Sequence, residues 1–211
     1  MENSTYAGIA PGTAKATKKF FKAVKPRCNY AKLLLSEEAT KDVVVRELQK
    51  ICDSDLAIFF YNGHGGQQKG RMNETDGKDE FLGLYDKPLL DNEIWNIISR
   101  AKGRIFMIFD CCYSETMFRC VSKSGIKLIP RDSNPVDLLC WASCPESKVS
   151  YTDVNNGGLF TKFIMYNLDS SYTYGQAWNR IVKNEILKQS ESVCLTYLKP
   201  HSEFLHKKLF S

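Results

Sequence analysis

Two stretches of the chain set a reactive side chain at the end of an apolar run. Phe59 to Gly66 reads FFYNGHGG, so a run that begins at Leu56 stops on His64, held among glycines. Arg104 to Ser114 reads RIFMIFDCCYS, so a second run ends in Asp110, Cys111 and Cys112, with Tyr113 and Ser114 beyond. A thiol attacks only as thiolate, and histidine is the usual base that deprotonates it. A Cys–His pair is enough for acyl transfer through a thioester. Glycine beside the histidine allows a sharp turn and a close approach of backbone to substrate. The N–H groups of Gly65 and Cys112 are then candidates to hold a tetrahedral oxyanion. The bland alternatives are a core histidine bonded to a carbonyl and a small buried cysteine. Position weighs against both. The other two histidines, His201 and His206, lie in the C-terminal tail, and Cys112 stands between a strand-like run and a polar turn.

These residues need elements to bring them together. Leu56–Asn62 and Arg104–Asp110 are continuous apolar runs of strand length, as is Leu138–Ala142, which fits strands covered on both faces. Helices are expected at Ala14–Val24, after Thr40 with Val44, Leu48 and Ile51 on one face, and after Asp91 with Ile94, Ile97 and Ile98 inward. Two more are expected: one after Asn155-Asn-Gly-Gly with Phe160, Phe163, Ile164 and Leu168 on a stripe, and one from Tyr174 to Lys188. Further strands are read at Tyr30–Leu35 and Cys194–Leu198, with a weak one at Tyr6–Ala10. Phe81–Tyr85 and Pro88–Leu90 form a hairpin or extended excursion, and Gln67–Lys78 reads as a loop. Strands alternating with helices predict a mostly parallel α/β sheet with helices on both faces. Ligands in such sheets sit at the carboxyl ends of strands. If the strands ending at His64 and Cys112 are neighbours, about 4.8 Å apart, the two side chains meet at one rim.

Composition bounds the alternatives. With 211 residues the chain suits a single domain, long enough to bury roughly 70% of its unfolded surface. The net charge of +5 is scattered, with no run of five or six basic residues, so no nucleic-acid partner is expected. Eight cysteines form no CxxC pair, and nothing from Met1 to Gly12 resembles a signal peptide. No apolar run approaches a membrane span. The expectation is a reduced, cytoplasmic monomer with mostly free thiols and no membrane partner.

Tyr61-Asn-Gly-His64-Gly65 and Asp110-Cys-Cys112-Tyr-Ser114 resemble the histidine and cysteine motifs of metacaspases, the caspase-like cysteine peptidases of plants, fungi, protists and bacteria. The resemblance extends along nearly the whole chain. It takes in Ser36–Asp42, the acidic stretch Asp76–Glu80 with Leu84-Tyr85-Asp86, Gly157–Thr161, and Lys199–Phe210. It implies a caspase-like fold: a mostly parallel six-stranded sheet flanked by helices on both faces, with the first strand short or missing. The single domain 1–211 would divide into a large-subunit-like part to about residue 120, a linker of about 121–135, and a small-subunit-like part of about 136–211. It implies an endopeptidase that cuts after Arg or Lys, with Cys112 as nucleophile and His64 as base. Asp110 would face the basic side chain, and Asn62 would join the substrate-binding rim. Peptides or proteins with Arg or Lys before the cut are the expected partners.

The sequence also departs from the family pattern. Tyr113 and Glu115 replace the usual residues after the nucleophile, and Ala16 stands where an Asp is common. A catalytically impaired homologue acting as a binding or regulatory module is therefore an alternative, as is a legumain-like Cys/His peptidase. The chemistry needs no cofactor. Calcium is the family's metal, and Asp79 and Asp91 match its ligand positions. Asn92 replaces a carboxylate and Arg119 stands where an acid is common, which opposes a hard cation. Weak or absent calcium dependence is expected. Autocleavage is expected in the polar loop from Arg119 to Arg131, after one of Arg119, Lys123, Lys127 or Arg131.

Overall fold

The computed structural model describes residues 12–69, 78–112, 136–143, 152–153, 157–184, 194–197 and 203–211. Tyr6–Ala10, Tyr113, Ser114, Glu115 and the loop from Arg119 to Arg131 lie outside these residues.

The main sheet is built from the apolar runs. Strands β1 (Leu56–Asn62), β5 (Arg104–Asp110), β6 (Leu138–Ala142) and β9 (Cys194–Tyr197) lie side by side in the order β1-β5-β6-β9 among the described residues. The first three are mutually parallel, and β9 runs antiparallel to β6. Side chains alternate between the faces of a strand, and β5 shows how both faces are filled. Ile105, Met107 and Phe109 enter one core, and Phe106 and Ile108 enter the other. Helices α2 (Lys41–Ile51) and α3 (Asp91–Ile98) close the first core through Val44, Leu48, Ile94 and Ile98. Helices α1 (Thr13–Val24), α4 (Leu159–Tyr166) and α5 (Tyr174–Val182) close the second. In that second core the rings of Phe106, Trp141 and Tyr174 meet edge to face, with centroids 4.8 to 6.5 Å apart. Truncating one of these rings to alanine should cost about 3–5 kcal/mol.

A second sheet, β2 (His64–Lys69), β3 (Lys78–Gly83) and β4 (Pro88–Leu90), stands at the carboxyl end of β1. It corrects the expectation of a loop at Gln67–Lys78, because residues 67–69 and 78 belong to paired strands. The pairing is supported by a side-chain bond from Gln67 Nε2 to Glu80 Oε1, 3.1 Å. Polar strands of this kind carry no alternation that a sequence pattern would register. Strands β7 (Thr152–Asp153) and β8 (Gly157–Gly158) make a short ribbon ahead of α4.

Tyr30–Leu35, read as a strand, has no ladder partner and is irregular. Leu34 packs on the α2 side of the core, and the segment lines one groove together with β1. Helix α3 is capped differently from expectation. Leu90 occupies the cap position, Asp91 is the first helical residue, and Glu93 accepts the Leu90 N–H at 3.0 Å. No helix among the described residues is long and apolar enough to cross a membrane.

Candidate active site

The register of the parallel pair aligns the two motifs. Asn62 of β1 is level with Asp110 of β5, so His64 and Cys112 each lie two residues past the same rung. The Gly63 N–H donates to the Asp110 carbonyl at 3.3 Å and carries the alignment one residue beyond the strands. The chain does not loop away after Asn62. It turns at Gly63 and begins β2 with an exposed His64.

The glycines are needed for close approach. A Cβ on Gly65 would stand 2.1 Å from the Cys112 carbonyl oxygen and 3.1 Å from Cys111 Sγ. Backbone cannot yield there, so only glycine lets the histidine strand lie against the cysteine turn. A Cβ on Gly63 would stand 2.7 Å from Tyr61 Oη. That hydroxyl lies beneath the corner and shares its proton between the carbonyls of His64 at 2.8 Å and Gly83 at 2.9 Å. Burial, with a smaller contribution from Cys111, pushes the Tyr61 phenol well above its ordinary value, so it remains a donor across the neutral range. Tyr61 thus ties the β1–β2 corner that carries His64 to the end of β3.

The adjacent cysteines separate by burial. Cys111 is 1% exposed and its carbonyl accepts from Ser143 Oγ at 3.3 Å, whereas Cys112 is partly exposed. Cys28, Cys52, Cys111, Cys112 and Cys140 are free thiols.

Asp110 is buried. Its Oδ2 accepts from Thr161 N at 3.0 Å and from Thr161 Oγ1 at 2.5 Å. Thr161 is the third residue of α4, so a carboxylate from β5 satisfies one of the helix's free N–H groups and meets the positive end of its dipole. A Cβ on Gly158 would fall 1.9 Å from the same oxygen. Gly158, just ahead of α4, therefore makes room for Asp110. Thr161 was missed as a partner of the site; its only trace in the sequence is its place in Gly157–Thr161. Asn62 lies at the rim with its side-chain nitrogen buried and without a partner among the described residues.

The acidic residues lie at the far side of the β3–β4 excursion. Asp79, Glu80 and Asp91 are buried within electrostatic reach of one another. Burial first, then Glu80 and Asp79, push Asp91 up to about 7, against bonds that lower it. Asn92 Nδ2 donates to Asp79 Oδ1 at 3.0 Å, so one oxygen expected to face a cation instead meets an N–H group. Among the described residues no group of three or more His, Cys, Asp or Glu converges as a metal site.

A fold of this kind, with a Cys and a His at adjacent strand ends, defines a class, and the comparisons name it. A sequence model of the caspase domain matches residues 14–195, so the chain belongs to the caspase domain family. Its similarities among curated proteins are to metacaspases. Metacaspase-2 of Trypanosoma brucei brucei is 27% identical over 150 residues, 59% of this chain and 43% of that protein. Metacaspase-5 of the same organism is 26% identical over 126 residues, 50% of this chain and 25% of that protein. Metacaspase-1 of Candida glabrata is 26% identical over 156 residues, 66% of this chain and 38% of that protein. The chain thus spans less than half the length of these relatives.

Solved structures agree on the fold. A Geobacter sulfurreducens protein superposes with a TM-score of 0.75 at 18% identity, covering 95% of this chain and 89% of that one. Caspase-1 from Spodoptera frugiperda superposes with a TM-score of 0.55 at 13% identity, covering 89% and 81%. The chain is thus a caspase-domain protein, and the curated proteins it resembles are metacaspases.

Proposed function

We propose that this chain is a monomeric cysteine endopeptidase that cuts peptides after Arg or Lys, with Cys112 as nucleophile and His64 as base. The observation that carries the reading is the register of Asn62 with Asp110, which brings both residues to one rim with Gly65 against the Cys112 carbonyl. In this reading His64 takes the Cys112 proton and the thiolate adds to the scissile carbonyl carbon. The oxyanion that forms is met by the N–H groups of Gly65 and Cys112. Collapse breaks the C–N bond, His64 returns the proton to the leaving amine, and a thioester remains. Water, deprotonated by His64, adds to the thioester and releases the new carboxylate and the thiol. The buried Asp110 carboxylate supports a preference for a basic side chain, and Arg should beat Lys because its guanidinium can bond a carboxylate bidentately. The same Asp110 also serves α4, which favours an additional structural role. Calcium takes no part in these steps.

A peptide probe with Arg beside an alkylating warhead tests the proposal. Stoichiometric labelling of Cys112, abolished in Cys112→Ala and retained in Cys111→Ala, is expected. His64→Ala should slow peptide cleavage by about 10²–10⁴-fold, the usual contribution of a positioned base. Labelling of Cys111 would reassign the nucleophile. A folded protein that takes no label and cleaves no Arg substrate would favour the impaired, binding homologue.

A further inference from the structure

The large apolar side chains that stand exposed among the described residues are three tyrosines, and two of them are engaged. Lys50 Nζ lies 3.7 Å from the centre of the Tyr30 ring, and the Tyr30 hydroxyl donates to Glu47. Tyr166 meets the ring of Phe163, with centroids 6.3 Å apart. Tyr85 is 64% exposed, and neither its ring nor its hydroxyl has a partner among the described residues. Its backbone is nevertheless held. The Tyr85 N–H donates to the Ala39 carbonyl at 3.1 Å. Leu84 before it is buried in the first core, and Asp86 after it accepts the Lys41 N–H at 2.7 Å, where α2 begins. A tyrosine on a fixed backbone offers a large, rigid contact surface at a small cost in conformational entropy.

We propose that Tyr85 determines specificity on the leaving side of the substrate, receiving a large apolar side chain at the second residue after the cut. The inference rests on the peptidase reading above. His64 pairs with Gly83, and a Cβ on Gly83 would stand 3.2 Å from His64 Cβ, so the two positions share a face. Leu82 and Leu84 are both buried, so the alternation carries past Gly83 and turns Tyr85 to the His64 face. Tyr85 and His64 line one groove, at the edge of β1 that does not pair with β5. Across the rim the order is therefore Cys112 beyond β5, His64 beyond β1, then Tyr85. In the peptidase reading the basic residue meets Asp110 on the β5 side, and His64 hands its proton to the departing amine. The chain after the cut then leaves over His64 toward Tyr85. Positions offset by two across an antiparallel pair lie about 7–8 Å apart, a span that an extended peptide covers in two residues of about 3.4 Å each. The Tyr85 ring can stack on an aromatic side chain or pack on an aliphatic one, and a glycine at that position offers it nothing to cover.

Two quenched peptides that differ at one position test this, one continuing Arg-Gly-Phe and the other Arg-Gly-Gly across a cut after Arg. A dye amide of Arg, which has no residue after the cut, is run beside them. For the wild-type chain kcat/KM should favour the Phe peptide by about tenfold, mostly through KM. Tyr85→Ala should bring that ratio near one, and Tyr85→Phe, which keeps the ring, should preserve it. A fall shared equally by both peptides in Tyr85→Ala would make the residue structural and overturn the inference. A wild-type ratio near one, with the dye amide cut, would overturn it as well and leave the peptidase reading standing. If the wild-type chain cuts neither the dye amide nor the peptides, that reading fails and this inference with it.

Discussion

The Tyr61 hydroxyl sits where one proton reaches both sides of the β1–β2 corner that carries His64. Its proton is shared by two carbonyls, one on the residue that carries the imidazole. Tyr61→Phe keeps the ring in the core and removes that tie, leaving two carbonyls without their donor. Such a loss costs about 1–3 kcal/mol of stability, which a denaturant midpoint would read. Because the corner positions His64, kcat on an Arg peptide should fall by up to about tenfold with KM little changed. An unchanged kcat would reduce Tyr61 to a structural bond. The same crowding makes Gly65 irreplaceable: Gly65→Ala should abolish activity, since its Cβ would meet backbone at 2.1 Å.

Two of the elements depend on buried carboxylates. Helix α4 begins without a side-chain cap of its own and receives Asp110 from β5. Asp110→Ala should therefore lower stability by about 1–2 kcal/mol, the usual cost of a lost cap, and also weaken the preference for Arg. Asp110→Asn separates the two roles, because the amide oxygen still accepts from Thr161 while the charge is gone. Near-native stability with Arg preference lost is expected, read by thermal melts and substrate profiling. Arg preference retained would remove Asp110 from the substrate pocket.

Helix α3 begins with Asp91, whose carboxyl is raised to about 7 chiefly by burial. The folded state then holds a proton that the unfolded chain has released above about pH 4. Stability from this group is thus fully present below about pH 4 and is lost progressively as pH rises from there through about 7. Asp91→Asn should raise the melting temperature at pH 8 in chelator, and by clearly less at pH 5. A larger gain at pH 5 would contradict the assignment.

At the scale of the molecule, β5 and β6 are parallel neighbours joined through the chain between Asp110 and Leu138, which contains Arg119, Lys123, Lys127 and Arg131. A cut after any of these leaves the β5–β6 ladder and both cores in place, so the halves should stay together. Incubated wild-type protein should show such a cut by mass spectrometry and still elute as one particle, while Cys112→Ala stays whole. Cleavage after an acidic residue, or equal nicking of the Ala variant, would sink the proposal. With an amide facing Asp79, activity is expected to persist in excess chelator. A strict calcium requirement lost in Asp79→Ala would place a cation there after all.

The sequence by itself determined the three parallel strands, the amphipathic helices and the two motifs at the strand ends. These are local patterns: unbroken apolar runs, a 3.6-residue stripe, a histidine among glycines. Tertiary structure decided what depends on partners distant in the chain. The β1–β5 register fixed His64 level with Cys112. Polar residues after His64 became strand because β3 lay beside them, and Tyr30–Leu35, with a strand's composition, found no ladder. Asp110 and Thr161, 51 positions apart, met because β5 ends where α4 begins, and Gly158 stands where any side chain would meet Asp110, a clash that exists only in the folded chain.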